Sequence, residues 1–345
     1  MQTVKQAVNK KTLDLMLKVR GNIRVLIKFL PILSFIMPFF ILYSLDPSSF
    51  EATWKGRTFY LFFLWLVSLE LILDWEKIQT NKLGYLRTSL FIIALLLPTI
   101  YVVAANYFGL NNVIWDLAER NKVFWAYVTP LSTEYLVFSV LFTLIILLAH
   151  GINGLTNYSI SVIFLGVIGL IYTIDNIYPY GRFTPFQFLV PTTATLAASV
   201  LNLMGYVTSL GFIENNPMLG FVPYLEVSNL QGKTVGFGIA WPCSGIESLI
   251  IYAVAIMLFL KRTDISWKYK MLCFIIGAMV TYLINIARIV TIFLIALDYG
   301  VNSPQVTWFH NYYGPLYSIT WIISYPLIII GIRALWRKVT NREKV

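Results

Sequence analysis

A cysteine that directly precedes a hydrophobic segment has the sequence context of a reactive thiolate. One of the chain's two cysteines, Cys243, lies in the run Trp-Pro-Cys-Ser-Gly-Ile-Glu at residues 241–247. If a helix follows, its N-terminus offers backbone N–H groups and the positive end of a dipole, and both favour S⁻ over SH. Ser244 and Glu247 have the Ser-x-x-Glu spacing of a capping box, with Ser244 as the N-cap residue. We therefore take Cys243 as a candidate nucleophile.

One feature of the sequence argues against a thiolate at Cys243. A negative charge on Glu247, one turn beyond Cys243, would oppose a thiolate unless it is engaged in the capping box or paired with a cation such as Arg288. The other cysteine, Cys273, begins a separate hydrophobic segment, and we expect it to be inert packing rather than a second reactive thiol.

Two further ionisable residues occur in hydrophobic surroundings. Arg288 lies inside the apolar run 271–294 with Asn285 one turn before it, and His310 lies in Trp-Phe-His-Asn-Tyr-Tyr-Gly. With Cys243 they fit nucleophilic acyl transfer, in which a thiolate attacks a carbonyl, a histidine moves the proton and a fixed cation stabilises the oxyanion. The alternatives are that Arg288 is a snorkelling boundary residue and His310 a member of an interfacial aromatic belt.

The composition is that of an integral membrane protein. It is 58% hydrophobic and only 12% charged, whereas ordinary soluble chains are about one-quarter charged. The net charge of +10 is expected to mark cytoplasmic loops rather than a nucleic-acid partner. The chain has two cysteines and two histidines, and it shows neither zinc-site spacing nor a phosphate-binding loop. We therefore expect no disulfide framework, no metal and no cofactor.

The hydrophobic pattern predicts an all-α membrane protein with about eight transmembrane helices. A ninth stretch, Phe186–Leu210, is too polar for a lipid-facing span and is predicted to be an outer amphipathic helix. Phe221–Val227 and Thr234–Ile239 have strand composition and predict a small β-hairpin before Cys243. The predicted spans are Phe29–Leu45, Thr58–Leu73, Leu86–Ala105, Leu131–Leu148, Ser159–Ile174, Gly245–Leu260, Met271–Leu294 and Leu316–Leu335.

Charge counting orients these spans in the cell membrane. With both termini in the cytoplasm, the inner segments hold 19 of the 26 Lys and Arg residues and the outer segments hold 6, which is a positive-inside pattern. This topology puts Cys243, Arg288 and His310 at the same outer boundary. The predicted organisation is a basic cytoplasmic tail at 1–28, accessory transmembrane helices at 29–180, an outer helix and hairpin at 181–240, catalytic transmembrane helices at 241–336 and a basic cytoplasmic tail at 337–345.

Three motifs in this order resemble the exosortase/archaeosortase family. They are Pro-Cys-Ser-Gly-Ile at 242–246, Asn-x-x-Arg at 285–288 and His-x-x-x-Gly at 310–314, and the resemblance extends over roughly Phe186 to Trp336. It implies a membrane-embedded cysteine transpeptidase, with Cys243 as nucleophile, Arg288 as stabiliser of the transition state or of a carboxylate, and His310 as acid/base. The motifs do not separate the bacterial from the archaeal branch of the family.

The resemblance also implies the partners. The substrates would be secreted proteins that end in a short motif, a hydrophobic helix and a basic tail, and the acceptor would be an amine, such as that of a membrane lipid. Three rival functions stay open at this stage: a non-catalytic transporter or assembly scaffold, a serine protease that uses Ser244, and an acyltransferase that uses His310 alone. Glu70 and Glu134, both in predicted spans, are expected to be buried polar partners of neighbouring helices.

Overall fold

The computed structural model describes residues 26–51, 55–78, 84–178, 188–213 and 222–342, without the side chains of Glu247, Tyr312 and residues 336–342. The predicted tail at 1–28 lies almost wholly outside these ranges, as do the first residues of the predicted helix Phe186–Leu210 and the end of the tail at 337–345. The chain divides into two compact units, Met1–Ile177 and Tyr178–Val345.

In its described part, the first unit consists of helices joined by turns. Its helices are α1 (Leu26–Leu45), α2 (Thr58–Leu73), α3 (Tyr85–Tyr107), α4 (Leu110–Arg120), α5 (Thr129–His150), α6 (Ile152–Asn157) and α7 (Ser159–Ile177). The core between α1, α2 and α5 is aromatic, with edge-to-face contacts that Phe35 makes with Phe63, Phe138 and Phe142 at ring-centroid distances of 5.3–5.7 Å. Aromatic pairs of this geometry add stability beyond their buried area.

Buried ion pairs connect the helices of this unit. Arg57, at the start of α2, donates from Nε and Nη2 to the two carboxylate oxygens of Glu134 at 2.8 and 3.0 Å. Lys55 Nζ lies 2.9 Å from Asp175 Oδ2 and 4.3 Å from the centroid of the Trp125 ring. Burial lowers the pKa of Lys55, and the Asp175 carboxylate opposes that shift. The prediction that Glu134 is a buried partner of a neighbouring helix is confirmed.

Glu70 has a different partner, the N-terminus of α7. Its carboxylate accepts hydrogen bonds from the backbone N–H groups of Ile160 and Ser161 at 3.2 and 3.1 Å, and from the Ser161 hydroxyl at 2.7 Å. The first N–H groups of a helix have no partner within it, and the dipole favours an anion there. A fully buried carboxylate on α2 thus caps α7, as expected for a polar partner of a neighbouring helix.

The second unit contains a small sheet and the remaining helices. The helices are α8 (Leu189–Leu203), α9 (Ile246–Arg262), α10 (Trp267–Tyr299), α11 (Pro304–Trp308) and α12 (Gly314–Arg342), and the strands are β1 (Val207–Phe212), β2 (Pro223–Ser228) and β3 (Thr234–Gly238). The sheet is antiparallel in the order β1-β2-β3, with Val207 opposite Ser228 and Tyr224 opposite Gly238.

The sheet both confirms and corrects the prediction. The hairpin of β2 and β3 is confirmed, but β1 was predicted to be the end of the helix that extends to Leu210. The helix ends at Leu203 instead, and Gly205 adopts a left-handed φ of +93° before the chain turns into β1. Glycine adopts this conformation without the steric penalty that other residues carry.

A bundle of α9, α10 and α12 forms the rest of this unit. Its core is the cluster Tyr252, Ile256, Leu260, Ile322, Tyr325 and Ile329, and Cys273 packs against it. Cys273 precedes Asn285 by 12 residues on α10, which is about 18 Å along a helix axis. Its packing role matches the prediction for this second cysteine.

Six described helices are long and apolar enough to cross a membrane. They are α1 (Leu26–Leu45), α3 (Tyr85–Tyr107), α5 with the short helical turn before it (Ala126–His150), α7 (Ser159–Ile177), α10 (Trp267–Tyr299) and the continuous helical run through α11 and most of α12 (Pro304–Leu335). The other two predicted spans correspond to α2 and α9, which have 16 and 17 residues, at or below the lower end of the range for a bilayer. The protein is therefore a multi-pass membrane protein, and the count of eight spans is not confirmed.

Candidate active site

Cys243 lies in a tight turn that is held by its own hydrogen bonds. The 3-10 turn Trp241–Ser244 precedes α9, and the Cys243 N–H donates to the Ala240 carbonyl at 3.0 Å. The Ser244 hydroxyl donates to the Trp241 carbonyl at 2.6 Å, and Ser244 is fully buried. A buried hydroxyl that is bonded back into its own turn is poorly placed to attack an external substrate. This observation favours Cys243 over Ser244 as the nucleophile.

The predicted capping arrangement is wrong by one residue. Gly245, not Ser244, is the N-cap of α9, and it has a left-handed φ of +96° without a side-chain capping bond. The side chain of Glu247 lies outside the described part of the chain. Cys243 nevertheless comes two residues before the N-cap, so the predicted proximity of the cysteine to a helix N-terminus is correct.

Asn285 of α10 fixes the cysteine turn from the side. Its Nδ2 donates to the carbonyl of Cys243 at 2.9 Å, and Asn285 itself is almost fully buried. A Cβ on Gly245 would lie 3.0 Å from Asn285 Cγ, so the amide packs directly against that glycine. Gly245 is thus required both by its positive φ and by the close approach of Asn285.

Arg288 makes the corresponding contact with the segment that carries His310. Its Nη2 donates to the carbonyl of His310 at 2.9 Å. A Cβ on Gly314 would lie 2.7 Å from Arg288 Nε and 2.9 Å from the carbonyl oxygen of Phe309. The guanidinium group therefore occupies space that only a glycine at position 314 leaves open.

The segment around His310 is helical rather than a loop. Residues 298–314, between the last two predicted spans, contain the end of α10, the short helix α11 and a π-helical turn over Phe309–Tyr313. Pro304 at the start of α11 and the Ser303 hydroxyl, which accepts a hydrogen bond from the Val306 N–H, explain why a helix begins there. Single π-helical turns are frequent at functional sites.

One helix thus brings the three predicted residues together. Asn285 and Arg288 are three residues apart on α10, a rise of about 4.5 Å along its axis, and they hold the backbones of Cys243 and His310 respectively. Cys243 and Arg288 are half-buried and His310 is exposed. The structure thus joins the backbones of Cys243 and His310 to α10 and leaves part of the Cys243, Arg288 and His310 residues accessible. Within the described ranges, no three His, Cys, Asp or Glu side chains are grouped as metal ligands.

Two residues at this site were not predicted, Thr193 of α8 and Tyr282 of α10. Thr193 is fully buried, and its Oγ1 lies 2.9 Å from the Tyr282 hydroxyl and 3.3 Å from the carbonyl oxygen of Ser244. A sequence signal does exist. Thr193 lies on the face of α8 that is otherwise built from Val190, Ala194, Ala197, Ala198 and Leu201, and a buried hydroxyl on such a face requires a partner.

A comparison with models of known protein families gives a match. The family model described as a transmembrane exosortase matches residues 53–326, which include both cysteines, Asn285, Arg288 and His310. No curated protein and no solved structure matches the chain.

Proposed function

This chain belongs to the transmembrane exosortase family, and on that premise we propose that it is a membrane-embedded cysteine transpeptidase. It cleaves the C-terminal hydrophobic sorting signal of secreted proteins. It then transfers the new C-terminus to an amine acceptor, such as that of a membrane lipid. The substrate carries a short recognition motif, a hydrophobic helix and a basic tail.

In the first half of the proposed reaction, the Cys243 thiolate attacks the carbonyl carbon of the scissile peptide bond. The tetrahedral intermediate then collapses to a thioester, and the C–N bond breaks. The released hydrophobic helix leaves with a new N-terminal amine, which takes its proton from His310. In the second half, the acceptor amine attacks the thioester and passes a proton to His310. An amide forms and the Cys243 thiolate is restored.

Arg288 stabilises the oxyanion of the two tetrahedral intermediates, or holds a carboxylate of the substrate. A guanidinium stays charged where it is largely desolvated, and it carries five N–H donors in a rigid plane. The bond from Nη2 to the His310 carbonyl fixes that plane relative to the acid/base residue. A fixed donor needs no reorganisation when charge develops on the oxygen.

The observation that carries this proposal is the pair of bonds from α10. Asn285 and Arg288, one turn apart, bond to the backbones of Cys243 and His310. A transporter would instead be expected to place its polar residues between broken helices near the middle of the bilayer. The positive-inside charge pattern supports a site at the outer face of the cytoplasmic membrane, with both termini in the cytoplasm.

The test is a processing assay in membranes. The probe is a secreted reporter that ends in a motif-helix-basic-tail segment taken from a protein of the source organism, and loss of that segment is followed by the change in mass. Cys243→Ala should abolish processing while the protein remains inserted, and Ser244→Ala should retain it. Normal processing by Cys243→Ala with loss in Ser244→Ala would support a serine protease. Normal processing by Cys243→Ala with loss only in His310→Ala would support a histidine-dependent acyltransferase.

A further inference from the structure

The turn that carries Cys243 is held at two consecutive carbonyl groups. Asn285 Nδ2 donates to the Cys243 carbonyl at 2.9 Å, and Thr193 Oγ1 donates to the Ser244 carbonyl at 3.3 Å. The two donors come from different helices, α10 and α8. Two bonded carbonyls in succession fix the peptide planes on the C-terminal side of Cys243, and those planes set the direction of its side chain.

The Thr193 hydroxyl has three polar neighbours and one proton to share with them. Thr193 Oγ1 has one proton and lies within hydrogen-bond distance of two carbonyl oxygens, those of Leu189 at 2.8 Å and Ser244 at 3.3 Å. The Tyr282 hydroxyl is 2.9 Å away. If the Tyr282 hydroxyl donates to Thr193 Oγ1, the Thr193 proton is left for the two carbonyl oxygens. Thr193 Oγ1 then accepts a hydrogen bond from Tyr282 and donates its own proton to the carbonyls.

We propose that Thr193 and Tyr282 are positioning residues that hold the Cys243 turn in its reactive orientation. The proposal rests on the function proposed above, since it assumes that Cys243 is the nucleophile. Neither residue touches the reacting atoms in this scheme. Thr193 acts through the Ser244 carbonyl, and Tyr282 acts by orienting the Thr193 hydroxyl.

The arrangement makes α8 part of the catalytic apparatus rather than only a surface helix. The buried face of α8 is rich in alanine, which allows the helix backbone to approach the turn closely. A displacement of α8 would be transmitted to the turn by the bond between Thr193 and Ser244. We therefore expect loss of the Thr193 hydroxyl to slow the chemical step and to leave substrate binding unchanged, because a misplacement of about 1 Å can cost on the order of 100-fold in rate.

The decisive variant is Thr193→Val, which removes the hydroxyl and keeps the shape of the side chain. We expect the maximal processing rate to fall roughly tenfold or more, with an unchanged half-saturating substrate concentration. Thr193→Ser retains the hydroxyl and should process at about the wild-type rate. Thr195→Val is the matched control, since Thr195 is exposed on the same helix; it should have no effect.

Tyr282→Phe tests the second half of the proposal and does not depend on whether Thr193→Val folds. It should slow processing by about threefold, because Thr193 retains its own proton for the carbonyls. The two changes act through one pair of hydroxyls, so the double variant should be no slower than Thr193→Val alone. Additive losses in the double variant would contradict the coupling.

Thiol reactivity gives a readout that is independent of the substrate. In a Cys273→Ala background, Cys243 is the single thiol of the chain, and its rate of alkylation by N-ethylmaleimide can be followed as a function of pH. Thr193→Val should change the rate or midpoint of this profile, and Thr193→Ser should restore it. An unchanged profile together with normal processing by Thr193→Val and Tyr282→Phe would overturn the proposal.

The proposed function and the positioning role of Thr193 and Tyr282 can be refuted separately. If Cys243→Ala processes the reporter normally, the proposed function is wrong, whatever the behaviour of Thr193. If Cys243→Ala is inactive and Thr193→Val and Tyr282→Phe are fully active, the function stands and the positioning role is wrong.

Discussion

Gly314→Ala should disable the site while leaving the helix intact. Gly314 has helical φ and ψ of −61° and −45°, so alanine would fit the backbone and add about 0.5–1 kcal/mol of helix stability. The new Cβ, however, would lie 2.7 Å from Arg288 Nε and 3.1 Å from Arg288 Cδ. This is about 0.7 Å or more inside an ordinary contact distance for the Nε atom. The same Cβ would lie 2.9 Å from the carbonyl oxygen of Phe309. That oxygen belongs to the backbone, so the flexible side chain of Arg288 is the group that moves most readily.

The movement of Arg288 sets the expected magnitude. Its 2.9 Å bond to the His310 carbonyl would lengthen or break, and a catalytic group misplaced by about 1 Å costs on the order of 100-fold in rate. Gly331→Ala is the matched control on the same helix, because its Cβ would meet nothing within 4 Å. We expect processing of the reporter to fall about 100-fold in Gly314→Ala and to be unchanged in Gly331→Ala. Thermal unfolding in detergent should show both variants folded. A folded Gly314→Ala enzyme with wild-type turnover would refute the reasoning.

Three other substitutions have defined outcomes. Arg288→Lys keeps the charge but loses the planar fork, and processing should fall about 10²–10³-fold; near-wild-type turnover would make Arg288 a mere boundary anchor. Arg57→Ala leaves the buried carboxylate of Glu134 without its cation and should lower the free energy of unfolding, measured by denaturation in detergent, by about 3–5 kcal/mol. The double variant Arg57→Met with Glu134→Leu removes both charges and should be close to neutral. An equal loss of stability in the two variants would contradict the pairing of Arg57 with Glu134. Glu70→Gln, which weakens the cap on α7, should lower the unfolding temperature without a change in processing per folded molecule, and an inactive but fully stable variant would give Glu70 a direct role instead.

Most of the site residues could be predicted from local sequence motifs. Cys243, Arg288 and His310 were singled out by residue type and by their place in hydrophobic segments. The structure connects Arg288 directly to His310, and connects Cys243 to the same helix through Asn285. The roles of these residues stay predictions, because hydrogen bonds to backbone carbonyls show proximity and not chemistry.

Long-range contacts explain what could not be predicted. Thr193 and Ser244 are separated by 51 residues along the chain, and nothing in the local pattern around either residue indicates the other. The strand β1 was missed because only residues 204–206, with the left-handed Gly205 among them, separate it from α8. Ser244 was mistaken for the N-cap because a serine hydroxyl can bond either to the helix that follows it or to the backbone before it. In the structure it donates to the Trp241 carbonyl.

The central claim is that Cys243 forms a thioester with the substrate, and trapping that intermediate tests it most directly. Membranes that contain the enzyme and the reporter would be quenched with acid during turnover, digested and analysed by mass spectrometry. We expect an acyl adduct on the peptide that contains Cys243, which hydroxylamine releases as the hydroxamate of the new C-terminus, and no adduct on Cys273. Processing that continues in Cys243→Ala, with the adduct on another residue or without any adduct, would contradict the account.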